Sequence, residues 1–149
     1  MRLLLVCNPG GHFATMMGLK EFWSAHYREW VTYPKFDTER LRGQEIVHWV
    51  VMQEARMVGR AIVNFFLALF IIYQSKPDLV ISTGAGLAVP FIYASKLFNI
   101  KTIFIESISR SKALSLSGKL VYYVADEFYV QWPECLEGKP KAKYKGVVA

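Results

Sequence analysis

The chain opens on an unbroken apolar run, Leu3-Leu4-Leu5-Val6-Cys7, which stops at Asn8-Pro9-Gly10-Gly11-His12. An apolar run without alternation, bounded by turn residues, is the pattern of a strand buried on both faces. It predicts a strand over 2–7, then a loop and a helix over roughly 12–26. The same reading places strands at 29–34 and 46–52, with the charged stretch DTERLRG between them as helix or loop. A long helical stretch follows over about 53–75. The strand 78–83 leads through the glycines of GAGLAVP into a helix over 87–98, with Pro90 in its first turn. KTIFIES predicts another strand, SKALSLSGKLVYYVA a helix, and EFYVQWP a further strand. Apolar strands alternating with helices predict a parallel sheet covered on both faces. The expected fold is therefore α/β, a single Rossmann-like domain with a mostly parallel sheet over residues 1–149.

The helix at 53–75 has an unusual pattern. Between Arg60 and Lys76 no residue carries a charge, a stretch about 22 Å long as a helix against about 30 Å of bilayer core. That is short for a membrane span. A buried helix of the core is one reading. Yet one apolar stripe is enough for such a helix, and here bulky residues lie nearly all round. The other reading is peripheral contact with an anionic membrane surface through Phe65, Phe66, Leu69 and Phe70, flanked by Arg56 and Arg60. This second reading is the expectation adopted here.

Composition narrows the class. A length of 149 residues allows one domain with a real core, and 53% hydrophobic against 20% charged residues excludes disorder. The net charge of +6 favours acidic partners such as phosphate-bearing substrates, anionic lipid or nucleic acid. Apart from Lys139, Lys141, Lys143 and Lys145, the basic residues are scattered, so no nucleic-acid partner is expected. That lysine run reads as a solvated strand edge or a docking site for a partner. Cys7 and Cys135 make no disulfide framework, and His12, His26 and His48 lack zinc-site spacing. No metal and no cofactor are expected. The first apolar run is too short for a signal-peptide core, which favours a reducing, cytosolic setting.

Candidate chemistry sits in three loops that a parallel sheet would open on one edge, where ligands gather. The first is NPGGH, in which Gly10 and Gly11 permit close backbone approach to an anion. They are equally the glycines of an ordinary strand–helix turn. His12 would stand at the first helical turn, where the helix dipole favours a neutral ring able to accept a proton. The second loop is STGAG, whose Gly84 and Gly86 either cradle a phosphate or let a helix approach the strand; it is not GxGxxG. In the third, Glu106 is followed by Ser107, Ser109, Arg110, Ser111 and Lys112, a set suited to sugar or phosphate, or to a structural Glu–Arg pair.

Together these residues resemble one family. The stretch PDLVISTGAGLAVPFIYASKLFNIKTIFIESISRSKALSLSGKLVYYVADEFYVQWPE, above all ESISR, LSGKL and FYVQW, is similar to the PssD-type oligosaccharide and exopolysaccharide biosynthesis proteins. That family also holds the membrane subunit of the eukaryotic dolichol-linked UDP-GlcNAc transferase. The GGH loop and the closing KYKGVV fit as well, so the resemblance covers nearly the whole chain. More distantly it is similar to the N-terminal half of MurG-like GT-B glycosyltransferases. The resemblance implies a split enzyme, in which this chain is the acceptor and membrane side and a separate donor-half subunit binds the UDP-sugar. It implies inverting transfer to a polyprenyl-diphosphate-linked saccharide, the lipid-linked acceptor, at the cytoplasmic membrane face, with little or no turnover by this chain alone. His12 would be the general base. Gly10, Gly11, Gly84 and Gly86 would shape the cleft floor and meet the lipid diphosphate, Glu106 would orient the acceptor, and Arg110 and Lys112 would offer charge to phosphate. A non-catalytic scaffold that recruits and activates the catalytic subunit is the alternative. Two features depart from the relatives. The eukaryotic proteins carry an N-terminal transmembrane helix where this sequence starts on its first strand, so attachment is expected from region 56–76 or from a partner. NPGGH is also shorter in glycine than the MurG-like loop.

Overall fold

The computed structural model describes residues 1–54 and 56–148. Its strands are β1 (Arg2–Val6), β2 (Tyr27–Thr32), β3 (Val47–Trp49), β4 (Leu79–Ser82), β5 (Lys101–Ile105), β6 (Glu127–Val130) and β7 (Ala142–Tyr144). They are joined by helices α1 (Gly11–Gly18), α2 (Lys20–Trp23), α3 (Val58–Ser75), α4 (Ala88–Leu97) and α5 (Leu116–Val121), with short 3-10 turns at Thr38–Leu41 and Pro133–Leu136. The strands form one sheet in the order β3-β2-β1-β4-β5-β6-β7, and every neighbouring pair is parallel. The chain first winds outward from β1 through β2 to β3. It then crosses back to β4 and winds the other way, so the direction reverses between β1 and β4.

This topology explains the unbroken apolar run of β1. The strand lies between β2 and β4 and is covered on both faces. Leu3 and Leu5 pack with Phe13 and Met16 of α1, whereas Leu4 and Val6 pack with Ala68, Ile71 and Ile72 of α3 and Phe91 of α4. Burying each such side chain contributes about 1.5–3 kcal/mol. A third cluster joins α4 and α5 to the far strands, with Phe104 and Phe128 stacked at 5.1 Å between ring centroids.

Local hydrogen bonding moves several boundaries. The helix expected over 12–26 is split at Leu19, because the Trp23 indole folds back and donates to the Met16 carbonyl at 2.8 Å. The helix expected over 111–125 is confined to α5, because Ser115 caps it, its Oγ accepting from the Gly118 N–H at 3.0 Å. The lysine-rich tail contains β7, an edge strand whose Lys143 lies 3.5 Å from Glu127. The long helix begins at Val58; of the expected residues before it, Ala55 lies outside the described residues.

Helix α3 is the crossover from β3 to β4, and its two faces differ. Ala68, Ile71 and Ile72 are core, and Phe65 and Leu69 are half-buried against that core. Ile62, Phe66, Phe70 and Tyr73 are 55%, 63%, 58% and 67% exposed, one stripe along the outer face. The helix is long and apolar enough to cross a membrane by composition, but its inner face is built into the sheet's core and holds it there. Asn64 is fully buried on this helix. Its Oδ1 accepts from Val51 N–H at 3.2 Å, and its Nδ2 donates to the Val51 carbonyl at 2.9 Å and to Gln53 Oε1 at 2.8 Å. This ties the segment after β3 to α3. Asn64→Leu leaves those buried groups unpaired, an expected loss of about 1–3 kcal/mol. Thermal unfolding should show a midpoint lower by roughly 2–4 °C per kcal/mol; an unchanged midpoint would contradict the role given to Asn64.

Candidate functional site

The strand ends are level at the reversal point: Val6 pairs with Ser82, and Ser82 with Phe104. The loops after β1, β4 and β5 therefore leave the same edge side by side, the position at which open parallel sheets bind ligands. Between them lies a cleft of about 490 Å³. His12, Gly84 and Ala85 form one wall, and Glu106, Ser107, Ser109 and Arg110 the next. Ser115, Ser117 and Lys119 of the α5 region, with Glu54 and Arg56, complete the lining.

His12 is held in one orientation by a reciprocal pair of bonds. Thr83 Oγ1 donates to the His12 carbonyl at 2.7 Å, and His12 Nδ1 lies 2.9 Å from the Thr83 carbonyl. A carbonyl oxygen can only accept, so Nδ1 carries the proton in that contact. In the neutral ring the other nitrogen, Nε2, is then the unprotonated one. Gly84 makes room for this arrangement. Its φ is +96°, in the left-handed region that favours glycine, and a Cβ there would lie 2.9 Å from His12 Nδ1.

Asn8 organises the floor. Its Oδ1 accepts from the N–H groups of Ala85 and Leu87 at 3.1 and 3.0 Å, and its Nδ2 donates to the Gln53 carbonyl at 2.7 Å and to the Tyr33 hydroxyl at 3.3 Å. Gln53 in turn donates to the Gly86 carbonyl at 3.0 Å. The first glycine loop is occupied differently from the sequence expectation. Gly10 N–H donates to Asp37 Oδ2 at 2.7 Å, so a protein carboxylate already sits where an anion was expected.

Glu106 is 2% exposed and its carboxylate is used by the protein. Oε1 accepts from Ser107 N–H at 2.9 Å and from Ser115 Oγ at 2.8 Å, and Oε2 accepts from Ser115 N–H at 2.9 Å. A Cβ on Gly118 would collide with Oε2, which gives the glycine of LSGKL a packing reason. Glu106 thus ties the third loop to the start of α5, and no Glu106–Arg110 ion pair occurs among the described residues.

With this geometry in place, comparison with known proteins is decisive for the family. The model of the family described as "Oligosaccharide biosynthesis protein Alg14 like" matches residues 3–148. The chain belongs to that family. It is 32% identical over 183 aligned positions to the UDP-N-acetylglucosamine transferase subunit ALG14 of Mus musculus, covering 98% of this chain and 82% of the mouse protein. The Homo sapiens subunit of the same name is 38% identical over 89 residues, 56% of this chain and 41% of that protein, so that alignment spans less than half of the human protein. Among solved structures, MurG of Acinetobacter baumannii superposes with a TM-score of 0.80 at 15% identity, covering 98% of this chain and 45% of that one. This Alg14-like chain thus shares the fold of somewhat less than half of that MurG chain.

Of the residues singled out in the sequence, His12, Gly84, Glu106 and Arg110 line the cleft of this family member. Gly10, Gly11, Gly86 and Lys112 are not among the lining residues, and Arg56, assigned above to membrane contact, is. Sequence reading missed Asn8 and Asp37 as organisers and Ser117 and Lys119 as cleft residues. Only LSGKL, picked out as a family-specific run, carried a signal for the last two. Gly84→Ala should displace the imidazole and cost more than about 1 kcal/mol, since alanine resists positive φ. Nitrogen NMR of His12 should then lose the Nδ1–H signature; a preserved tautomer in that variant would contradict the clamp.

Proposed function

We propose that this chain is the acceptor-binding, membrane-associating subunit of a two-chain glycosyltransferase, of the bacterial exopolysaccharide (PssD-type) branch of the family. A separate GT-B donor-half subunit binds the UDP-sugar and meets this chain across the carboxyl edge of the sheet. The sugar goes to a polyprenyl-diphosphate-linked saccharide at the cytoplasmic face of the membrane. The observation that carries the reading is the single GT-B half-fold with a polar cleft on its ligand edge, in a family whose relatives are named as transferase subunits.

The chemistry assigned to the cleft is a direct displacement. An acceptor hydroxyl oxygen bonds to the anomeric carbon, the bond to UDP breaks, and the hydroxyl proton passes to His12 Nε2. The Thr83 carbonyl supports this role by holding the proton on Nδ1, so that Nε2 is free to accept. Gly84 shapes the wall beside the ring. Glu106 orients the acceptor indirectly, through the loop it fastens to Ser115. The stripe Ile62, Phe66, Phe70 and Tyr73, with Arg60 beside its start and Lys76 at its end, supports shallow insertion of α3 into an anionic surface.

Reconstituted with its donor-half partner, His12→Ala should lower turnover by about 10²–10⁴-fold with complex formation intact. Near-normal turnover would favour the non-catalytic scaffold instead. Paired replacement of Phe66 and Phe70 by aspartate should release the chain from vesicles containing anionic lipid without unfolding it, because both side chains stand outside the core. Unfolding, or unaltered sedimentation with vesicles, would overturn the membrane assignment.

A further inference from the structure

The cleft also holds groups to which the mechanism above gives no task. Ser117 is 2% exposed, lines the cleft, and its Oγ has no hydrogen-bond partner. A hydroxyl buried in that state is costly, and an acceptor arriving in the cleft relieves the cost after rotation about one side-chain torsion. Lys119 follows two residues later, and Arg110 and Arg56 reach the same cleft from two other segments. Among the described residues these three cations make no ion pair.

Three cations, Arg56, Arg110 and Lys119, outnumber the two carboxylates that line the cleft, Glu54 and Glu106. Glu106 spends its oxygens on Ser107 and Ser115, and Glu54 is exposed on the cleft's margin. At the glycine loop, by contrast, Asp37 already holds the Gly10 N–H and repels a second anion. The hydrocarbon side is also marked. An apolar groove of about 260 Å³ runs between α3 and α4, lined by Val58, Ile62, Phe65, Val89, Pro90 and Tyr93 among others. It begins two residues after Arg56 in one segment and a few residues after Ala85 in the other, so it leads away from the cleft on both of its sides.

We infer that Ser117, Lys119, Arg110 and Arg56 hold the diphosphate of the lipid-linked acceptor, with the first isoprene units lying in the α3–α4 groove. This rests on the reading of the cleft as the acceptor's seat. It goes beyond that reading by placing the diphosphate on the α5 wall rather than on the glycine loop. Arginine forks and a lysine point charge suit phosphoryl oxygens, and the serine supplies a donor that needs no counter-charge.

Calorimetric titration of the full chain with inorganic pyrophosphate, farnesyl diphosphate and UDP tests this without any turnover. Lys119→Ala and Arg110→Ala should each weaken pyrophosphate binding on the order of tenfold. Ser117→Ala should weaken it by less, while melting no lower than the parent, since the change removes an unpartnered buried hydroxyl. Farnesyl diphosphate should bind more tightly than pyrophosphate, and Ile62→Asp should abolish that difference alone. Unchanged pyrophosphate affinity in the three cleft variants, or no binding by the parent, would overturn the site. UDP binding as tightly as farnesyl diphosphate would overturn the lipid assignment. Should the His12→Ala complex lose turnover while these titrations fail, the glycosyltransferase reading survives and only the diphosphate site falls.

Discussion

Asn8 uses its full hydrogen-bonding capacity inside the reversal point of the sheet, and the cleft depends on that. One buried side chain accepts from two N–H groups of the loop after β4 and donates to the segment after β3 and to Tyr33. An asparagine amide offers two donors and accepts through one oxygen, so nothing is left over. Through Gln53 and Asn64 the same network reaches α3. Three segments that diverge in sequence are thereby fixed at one place. Thr83 and Gly84 sit in the loop so held, and they in turn fix the imidazole of His12. Support of this kind holds the ring in one orientation against the cleft.

Charge is distributed unevenly between the first glycine loop and the cleft. At the first glycine loop the Asp37 carboxylate already accepts from the Gly10 N–H, although glycines at a helix start are the feature most often associated with anion binding. Arg56, Arg110 and Lys119 lie instead around the other walls. Glu106 stands among them with its carboxylate held by N–H and O–H donors, so the three cations outnumber the two carboxylates of the cleft, Glu54 and Glu106. The imidazole and the three cations thus line one small polar volume.

Helix α3 presents two unlike apolar faces. Its inner face supplies Ala68, Ile71 and Ile72 to the core, and its outer face leaves two phenylalanines more than half exposed. An exposed aromatic stripe of this kind exceeds what a water-facing helix of an α/β domain carries. The absence of charge between Arg60 and Lys76, which in the sequence pointed to either a core or a membrane helix, corresponds to a core face on one side and an exposed apolar stripe on the other. Phe65 and Leu69 fall on the boundary, half-buried against the core.

Much of the fold was legible in the sequence because it follows from local pattern. The run Leu3–Cys7, the alternation of apolar strands with helices, and the glycines at two strand ends imply a parallel sheet with its loops on one edge, and the family resemblance follows from the motifs in those loops. Boundaries were less legible where a side chain reached back along the chain, as Trp23 does to Met16 and Ser115 to Gly118. The site itself was decided by tertiary structure. Asp37 lies 27 residues from Gly10, Asn8 lies 77 from Ala85, and His12 lies 71 from Thr83. No local pattern encodes such pairs. Sequence by itself determined which groups are available and which edge of the sheet they occupy. Only the packed chain decided which donors are already taken, and a hydrogen bond once made inside the protein is no longer open to a ligand.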